Sequence, residues 1–232
     1  MSDTLGRQRS ECTHPHGDGR ILEFGARLDN PGATVILLHG RGSSATDIGH
    51  MAPAISPDTD GETIAWLAPQ AAHNTWYPRR FIEPIERNEP YLSSALRLIE
   101  ELVDSATAAG VPADRIVVTG FSQGACLALE FAARGTRRIG GVVAFAGGLI
   151  GPPDVERGAL PDQSRVKVFL GCGDMDQHIP IEIAERSAER SRSAGADVDF
   201  RRYTGLHHTI VEDELRAGKA LITSIVTKRA PD

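Results

Sequence analysis

Gly120-Phe121-Ser122-Gln123-Gly124 sets a serine between two glycines, directly after the apolar run Arg115 to Thr119 and directly before a stretch with helical spacing. A serine hydroxyl is a weak nucleophile near neutral pH, so a base beside it must take its proton. Histidine suits that task because its ordinary pKa lies near the working pH, and a carboxylate can fix its tautomer and stabilise the charge it gains. The chemistry these residue types suggest is acyl transfer, with backbone N–H groups to hold the oxyanion.

Both partners follow Ser122 on loops behind late apolar runs. Gly173-Asp174-Met175-Asp176 comes after the run Val166 to Leu170. Asp176 is the candidate carboxylate and Asp174 its rival, and one of the two is expected only to cap the helix starting near Pro180. Gly205-Leu206-His207-His208 comes after the run ending at Tyr203, and chemistry alone leaves both histidines open as the base. The chain order Ser, Asp, His, with Gly-x-Ser-x-Gly between a strand and a helix, is that of the α/β-hydrolase nucleophile elbow. There a sharp turn strains the serine backbone, the glycines admit neighbouring chain, and the Gln123 N–H points at the oxyanion. The second expected donor is the Arg41 N–H in Leu38-His39-Gly40-Arg41-Gly42. His39 lies too early in chain order for the base and is expected to brace the loop.

The elements that must position these residues alternate along the chain. Apolar, β-rich runs predict strands at Ile21 to Phe24, Thr34 to Leu38, Thr63 to Leu67, Arg115 to Thr119, Gly141 to Phe145, Val166 to Leu170 and Val198 to Tyr203. Helical spacing predicts helices at Ala45 to Ile55, Tyr91 to Ala109, Gln123 to Ala133, Ile181 to Ala194 and Thr209 to Thr227. Strands separated by helices need right-handed crossovers, so the expected fold is α/β, a doubly wound three-layer sandwich on a mainly parallel sheet. Pro69 to Pro90 lacks periodicity and is too long for an idle loop. Its Trp76, Tyr77 and Phe81 are candidate walls of a substrate pocket, with ordinary core as the alternative. Arg79 and Arg80 beside them could draw an anionic head group, with plain solvation as the alternative. Residues 1–19, with His14 and His16 spaced by one, read as a poorly ordered tail, and residues 20–232 as one domain.

The chain resembles the phospholipase/carboxylesterase group of small α/β-hydrolases, which includes the acyl-protein thioesterases. The likeness runs from about Thr34 to Ile210 through Leu38-His39-Gly40-x-Gly42, Ala68-Pro69-Gln70 followed by Trp76-Tyr77, the serine motif, Gly173-Asp174-x-Asp176 with Ile179-Pro180, and Gly205-x-x-His208. It implies that Asp176 is the carboxylate and His208 the base. It also implies an α/β-hydrolase fold without a large cap, metal-independent hydrolysis, no cofactor, and a small-molecule carboxylic ester or thioester substrate. Arg41 departs from the pattern, since many relatives carry an apolar residue between the two glycines. A thioesterase or lysophospholipase would use the same machinery, and a non-catalytic binding protein would have lost part of it. A dienelactone-type hydrolase would usually carry cysteine where this chain has Ser122.

Bulk properties narrow the partners. The 232 residues include 41% hydrophobic and 24% charged side chains, enough apolar surface for a folded core. A formal charge of −6 disfavours a nucleic-acid partner. Three scattered cysteines, Cys12, Cys126 and Cys172, make no disulfide framework, and Met1 to Arg20 shows no leader pattern, so a cytoplasmic protein is expected. No apolar run approaches membrane-spanning length, and a homodimer stays open.

Overall fold

The computed structural model describes residues 14–29, 31–58 and 64–227. The apolar runs become β1 (Ile21–Gly25), β2 (Ala33–Leu38), β3 (Ile64–Pro69), β4 (Ile116–Phe121), β5 (Gly141–Phe145), β6 (Lys167–Gly173) and β7 (Asp197–Tyr203). They pair into one sheet in the order β1-β3-β2-β4-β5-β6-β7. β1 runs antiparallel to β3, and every other pair is parallel.

Side-chain alternation splits the core between the two faces. Ile36, Leu38, Val118, Ala144 and Leu170 face one layer, formed by α3 (Tyr91–Ala108), α4 (Gln123–Arg134) and α5 (Ile181–Ser193). Val35, Leu37, Val117, Val143 and Phe169 face the other, formed by α1 (Ala45–Gly49), α2 (Ala52–Ile55) and α6 (Glu212–Val226). Burial on both faces explains why the central strands read as unbroken apolar runs.

The chain turns outward from β2 to β3, then returns to lay β4 on the other flank of β2. The loops beyond the carboxyl ends of β2 and β4 therefore part in opposite directions and leave a crevice, where α/β sheets bind ligands. His39 to Ser44 and Ser122 occupy those two loops.

Three expectations need correction. The helix expected over Ala45 to Ile55 is broken into α1 and α2, because Pro53 has no N–H and its ring displaces the carbonyl of Gly49. The last helix starts at Glu212 rather than Thr209, since Glu214 folds back to accept the Val211 N–H at 2.8 Å and fixes the start there. The described part of the expected tail, His14 to Gly19, is docked. His16 is buried, its ring 5.5 Å from that of Trp76, with one ring nitrogen 2.9 Å from the Trp76 carbonyl and the other accepting the Ala72 N–H at 3.0 Å. Residues 1–13, with Cys12, and Thr63 and Lys228 lie outside the described residues.

Candidate active site

β4 ends at Phe121 and α4 begins at Gln123, so Ser122 alone makes the turn between them. Its φ of 56° and ψ of −117° lie in a region that side-chain-bearing residues rarely adopt. The two glycines are required by close approach. A Cβ at Gly120 would meet the Gly124 backbone carbon at 2.6 Å, and one at Gly124 would meet the Leu38 carbonyl oxygen at 2.1 Å. The elbow therefore packs directly on the end of β2, and the Ser122 hydroxyl stands out from the sheet edge.

His208 spans the gap between the serine and the carboxylate. Its Nε2 lies 2.8 Å from Ser122 Oγ and its Nδ1 lies 2.6 Å from Asp176 Oδ2. Asp176 has no exposed side chain, and its Oδ1 accepts the N–H groups of His178 at 2.8 Å and Ile179 at 2.9 Å. Burial pushes that carboxyl upward, yet the His208 ring and the two amides outweigh it and leave the group below the usual carboxylate range. An ionised carboxylate only accepts, so the proton sits on Nδ1 and Nε2 faces the serine as an acceptor.

Asp174 takes a different part. Its Oδ1 accepts the Gly205 N–H at 2.7 Å and its Oδ2 lies 3.4 Å from Arg202, which ties the histidine loop to the end of β6. Neither aspartate caps the helix as expected: α5 starts at Ile181 behind Pro180 with no side-chain cap, and the two amides that Asp176 accepts belong to the loop before it. His207 points elsewhere, its Nδ1 3.1 Å from the Met175 carbonyl. Its neighbour His208 is flanked by the rings of Phe121 at 4.8 Å and His178 at 4.7 Å, neither of which the sequence reading singled out.

Arg41 and Gln123 border the same cleft, and the backbone N–H of neither donates to a partner among the described residues. Gln123 opens α4, where the first N–H groups have no helical acceptor. His39 braces the Arg41 loop as expected. Its Nδ1 lies 2.8 Å from the Gly40 carbonyl, and its Nε2 accepts the Ala71 N–H at 3.1 Å. Burial lowers its pKa, which suits a neutral ring with one donor and one acceptor.

The cleft above Ser122 has a volume of about 550 Å³, and Tyr77 and Phe81 line it. Trp76 does not. It is wholly buried and donates its Nε1–H to the His39 carbonyl at 2.8 Å, so its place is in the core beneath the loop rather than in the pocket wall. Trp76→Ala is expected to cost roughly 3–5 kcal/mol through the cavity and the lost bond, lowering Tm by about 10 °C. Thermal unfolding checks this, and a Tm unchanged by the substitution would return Trp76 to the wall.

Two side chains that sequence reasoning left unassigned fasten this loop. The Arg41 guanidinium donates to the carbonyls of Tyr77, Pro78 and Arg79 at 2.9, 3.0 and 2.7 Å, so it is tied to this loop rather than free in solvent. Buried Gln123 donates to the Tyr77 carbonyl at 2.8 Å and accepts the Trp76 N–H at 2.9 Å. Only long-range geometry shows either role. Among the described residues no cluster of three or more His, Cys, Asp or Glu side chains is placed to hold a metal ion.

Glu214, six residues beyond His208, is wholly buried, and its Oε1 lacks a hydrogen-bond partner. Burial pushes its carboxyl from 4.5 up to about 7. The folded protein thus holds this proton more tightly than the unfolded chain. The contribution of this group to stability must fall as pH rises from the unfolded value through about 7, by on the order of 3 kcal/mol in all. Urea unfolding of the protein and of Glu214→Gln at about pH 5 and pH 8 should show the protein losing stability relative to the variant as pH rises; the same pH dependence in both would contradict it.

The profile of the phospholipase/carboxylesterase family matches residues 25–226. Acyl-protein thioesterase 1 of Saccharomyces cerevisiae is 26% identical over 213 residues, covering 84% of this chain and 93% of the yeast protein. The crystal structure of a phospholipase/carboxylesterase from Dyadobacter fermentans is 37% identical, with a TM-score of 0.81, covering 88% of this chain and 96% of that one. The Bacillus cereus carboxylesterase, 18% identical with a TM-score of 0.68 over 90% of this chain and 95% of its own, shares the fold. With a matched profile over nearly all of the sheet and an elbow at the expected edge, the chain belongs to the phospholipase/carboxylesterase family of α/β-hydrolases and is an ester-hydrolysing enzyme of that kind.

Proposed function

We propose that this enzyme is a serine carboxylesterase acting on small to medium acyl esters through an acyl-enzyme. Ser122 Oγ attacks the ester carbonyl while His208 Nε2 takes its proton. Asp176 holds the imidazole in the required tautomer and stabilises its charge. The N–H groups of Arg41 and Gln123 receive the oxyanion. Collapse of the tetrahedral species expels the alcohol, protonated by His208, and water, activated by the same ring, then releases the acid. The observation that carries this reading is the imidazole within 2.8 Å of the serine and 2.6 Å of the carboxylate. Tyr77 and Phe81 serve as walls for the substrate.

We place the enzyme in the cytoplasm. Cys126 and Cys172 are buried free thiols, burial pushes both thiol pKa values upward, and neither forms a disulfide. No helix among the described residues is long and apolar enough to cross a membrane.

A thioesterase is the second reading, favoured by the yeast relative's name. p-Nitrophenyl esters of increasing chain length, run beside a thioester of matched acyl group, test both. Turnover of the oxygen esters with kcat/KM equal to or above that of the thioester supports the carboxylesterase. Turnover of the thioester alone reassigns the enzyme, and turnover of neither points to a binding protein.

A further inference from the structure

Two hollows share Gly40, Ser43 and Phe121 at their border, Ser122 lines the larger of them, and their charges differ. The larger is the 550 Å³ cleft, whose outer wall carries Arg79 and Arg80. Neither guanidinium has an ion-pair or hydrogen-bond partner among the described residues, whereas that of Arg41 is bound to three carbonyls. The acidic residue on this wall, Glu83, pairs with Arg87 at 2.6 Å and accepts the Arg80 N–H at 3.2 Å. Two positive charges without an ion-pair partner among the described residues thus line the cleft that holds the reacting serine, in a chain whose formal charge is −6.

The smaller hollow, about 390 Å³, opens across Gly40 and Phe121, which line both. Ile48, Met51, Ile210 and Leu215 make it apolar, with Asp47 and His50 at its rim. The hydroxyls of Ser44 and Ser43 donate to Asp47 at 2.8 and 3.0 Å and hold its carboxyl below the usual range. An anion entering here meets a fixed carboxylate and little that could solvate it, while one entering the larger cleft meets two free guanidinium groups.

We infer that the preferred substrate joins an anionic group, seated at Arg79 and Arg80, to a compact apolar group, seated against Met51 and Leu215, with the scissile ester at Ser122. This rests on the ester-hydrolase reading above. Hydrolysis consumes one water and yields a carboxylic acid and an alcohol, and either half can carry the anion. A cleft of one sign raises the local concentration of an opposite charge and speeds its capture, so the preference belongs in kcat/KM and weakens with salt.

Two pairs of esters test this. The first compares mono-p-nitrophenyl glutarate with its neutral methyl ester, which puts the charge on the acyl half. The second compares the butyrate ester of 3-hydroxybenzoate with that of methyl 3-hydroxybenzoate, which puts it on the alcohol half. The anionic member should win by about tenfold in one pair. That ratio should approach one in about 0.5 M salt and in the double variant R79Q/R80Q. The salt series uses the unsubstituted protein, so it decides the matter even if the variant folds poorly. Equal rates within both pairs, or a preference indifferent to salt, would overturn the inference alone. No turnover of any of the four, with no covalent adduct from a fluorophosphonate, would overturn the esterase reading and this inference with it.

Discussion

Ser122→Ala is expected to lower kcat for ester hydrolysis by about a millionfold, as removal of a serine nucleophile does when the rest of the relay is intact. At 1.36 kcal/mol per tenfold, that is on the order of 8 kcal/mol of transition-state stabilisation. The size follows from the route. Without Oγ no acyl-enzyme forms, and what remains is binding and the two N–H donors acting on water. Alanine tolerates the positive φ of the elbow as well or as badly as serine does, so the fold should persist. Tm measured beside kcat separates the two effects, and a variant that retains more than about one part in a hundred of the activity would remove Ser122 from the mechanism.

Asp176→Asn should lower kcat by about 10⁴, for a reason that the hydrogen bonds make specific. Oδ1 accepts from His178 and Ile179, and the amide oxygen of the substituted residue can keep both bonds. Its NH₂ then faces His208 Nδ1 and must donate there. The ring proton is forced to Nε2, which turns a donor toward Ser122 and can no longer accept the serine proton. Steady-state rates beside unfolding curves check this. A loss under about tenfold with an intact fold would leave Asp176 a loop-capping residue only, and Asp174→Asn, which can keep its bond to the Gly205 N–H, should be the milder change.

The five central strands were legible because strands buried on both faces leave unbroken apolar runs, as in β2 and β5, and the half-buried edge strands β1 and β7 because their residues favour extended chain. Their termini were less so. β4 and β6 run two and three residues past the expected ends, since Gly120-Phe121 and Gly171 to Gly173 continue the ladder although glycine carries no strand signal. The serine was legible from local spacing, whereas the loops behind β6 and β7 each offered two candidates, and the choice of Asp176 over Asp174 and of His208 over His207 came from the family resemblance. What the sequence hid was long-range. Arg41 clamps carbonyls more than thirty-five residues away, His16 fills a gap beside Trp76, and nothing in the order of Pro69 to Pro90 marks Trp76 as core and Phe81 as cleft wall.

The sharpest test of the relay is brief incubation with a fluorophosphonate, followed by peptide mass mapping of the protein and its His208→Ala variant. The account predicts one adduct, on Ser122, formed fast in the unsubstituted protein and slowed by at least a hundredfold when the imidazole is gone. An adduct on another residue, or equal rates in both proteins, would contradict it.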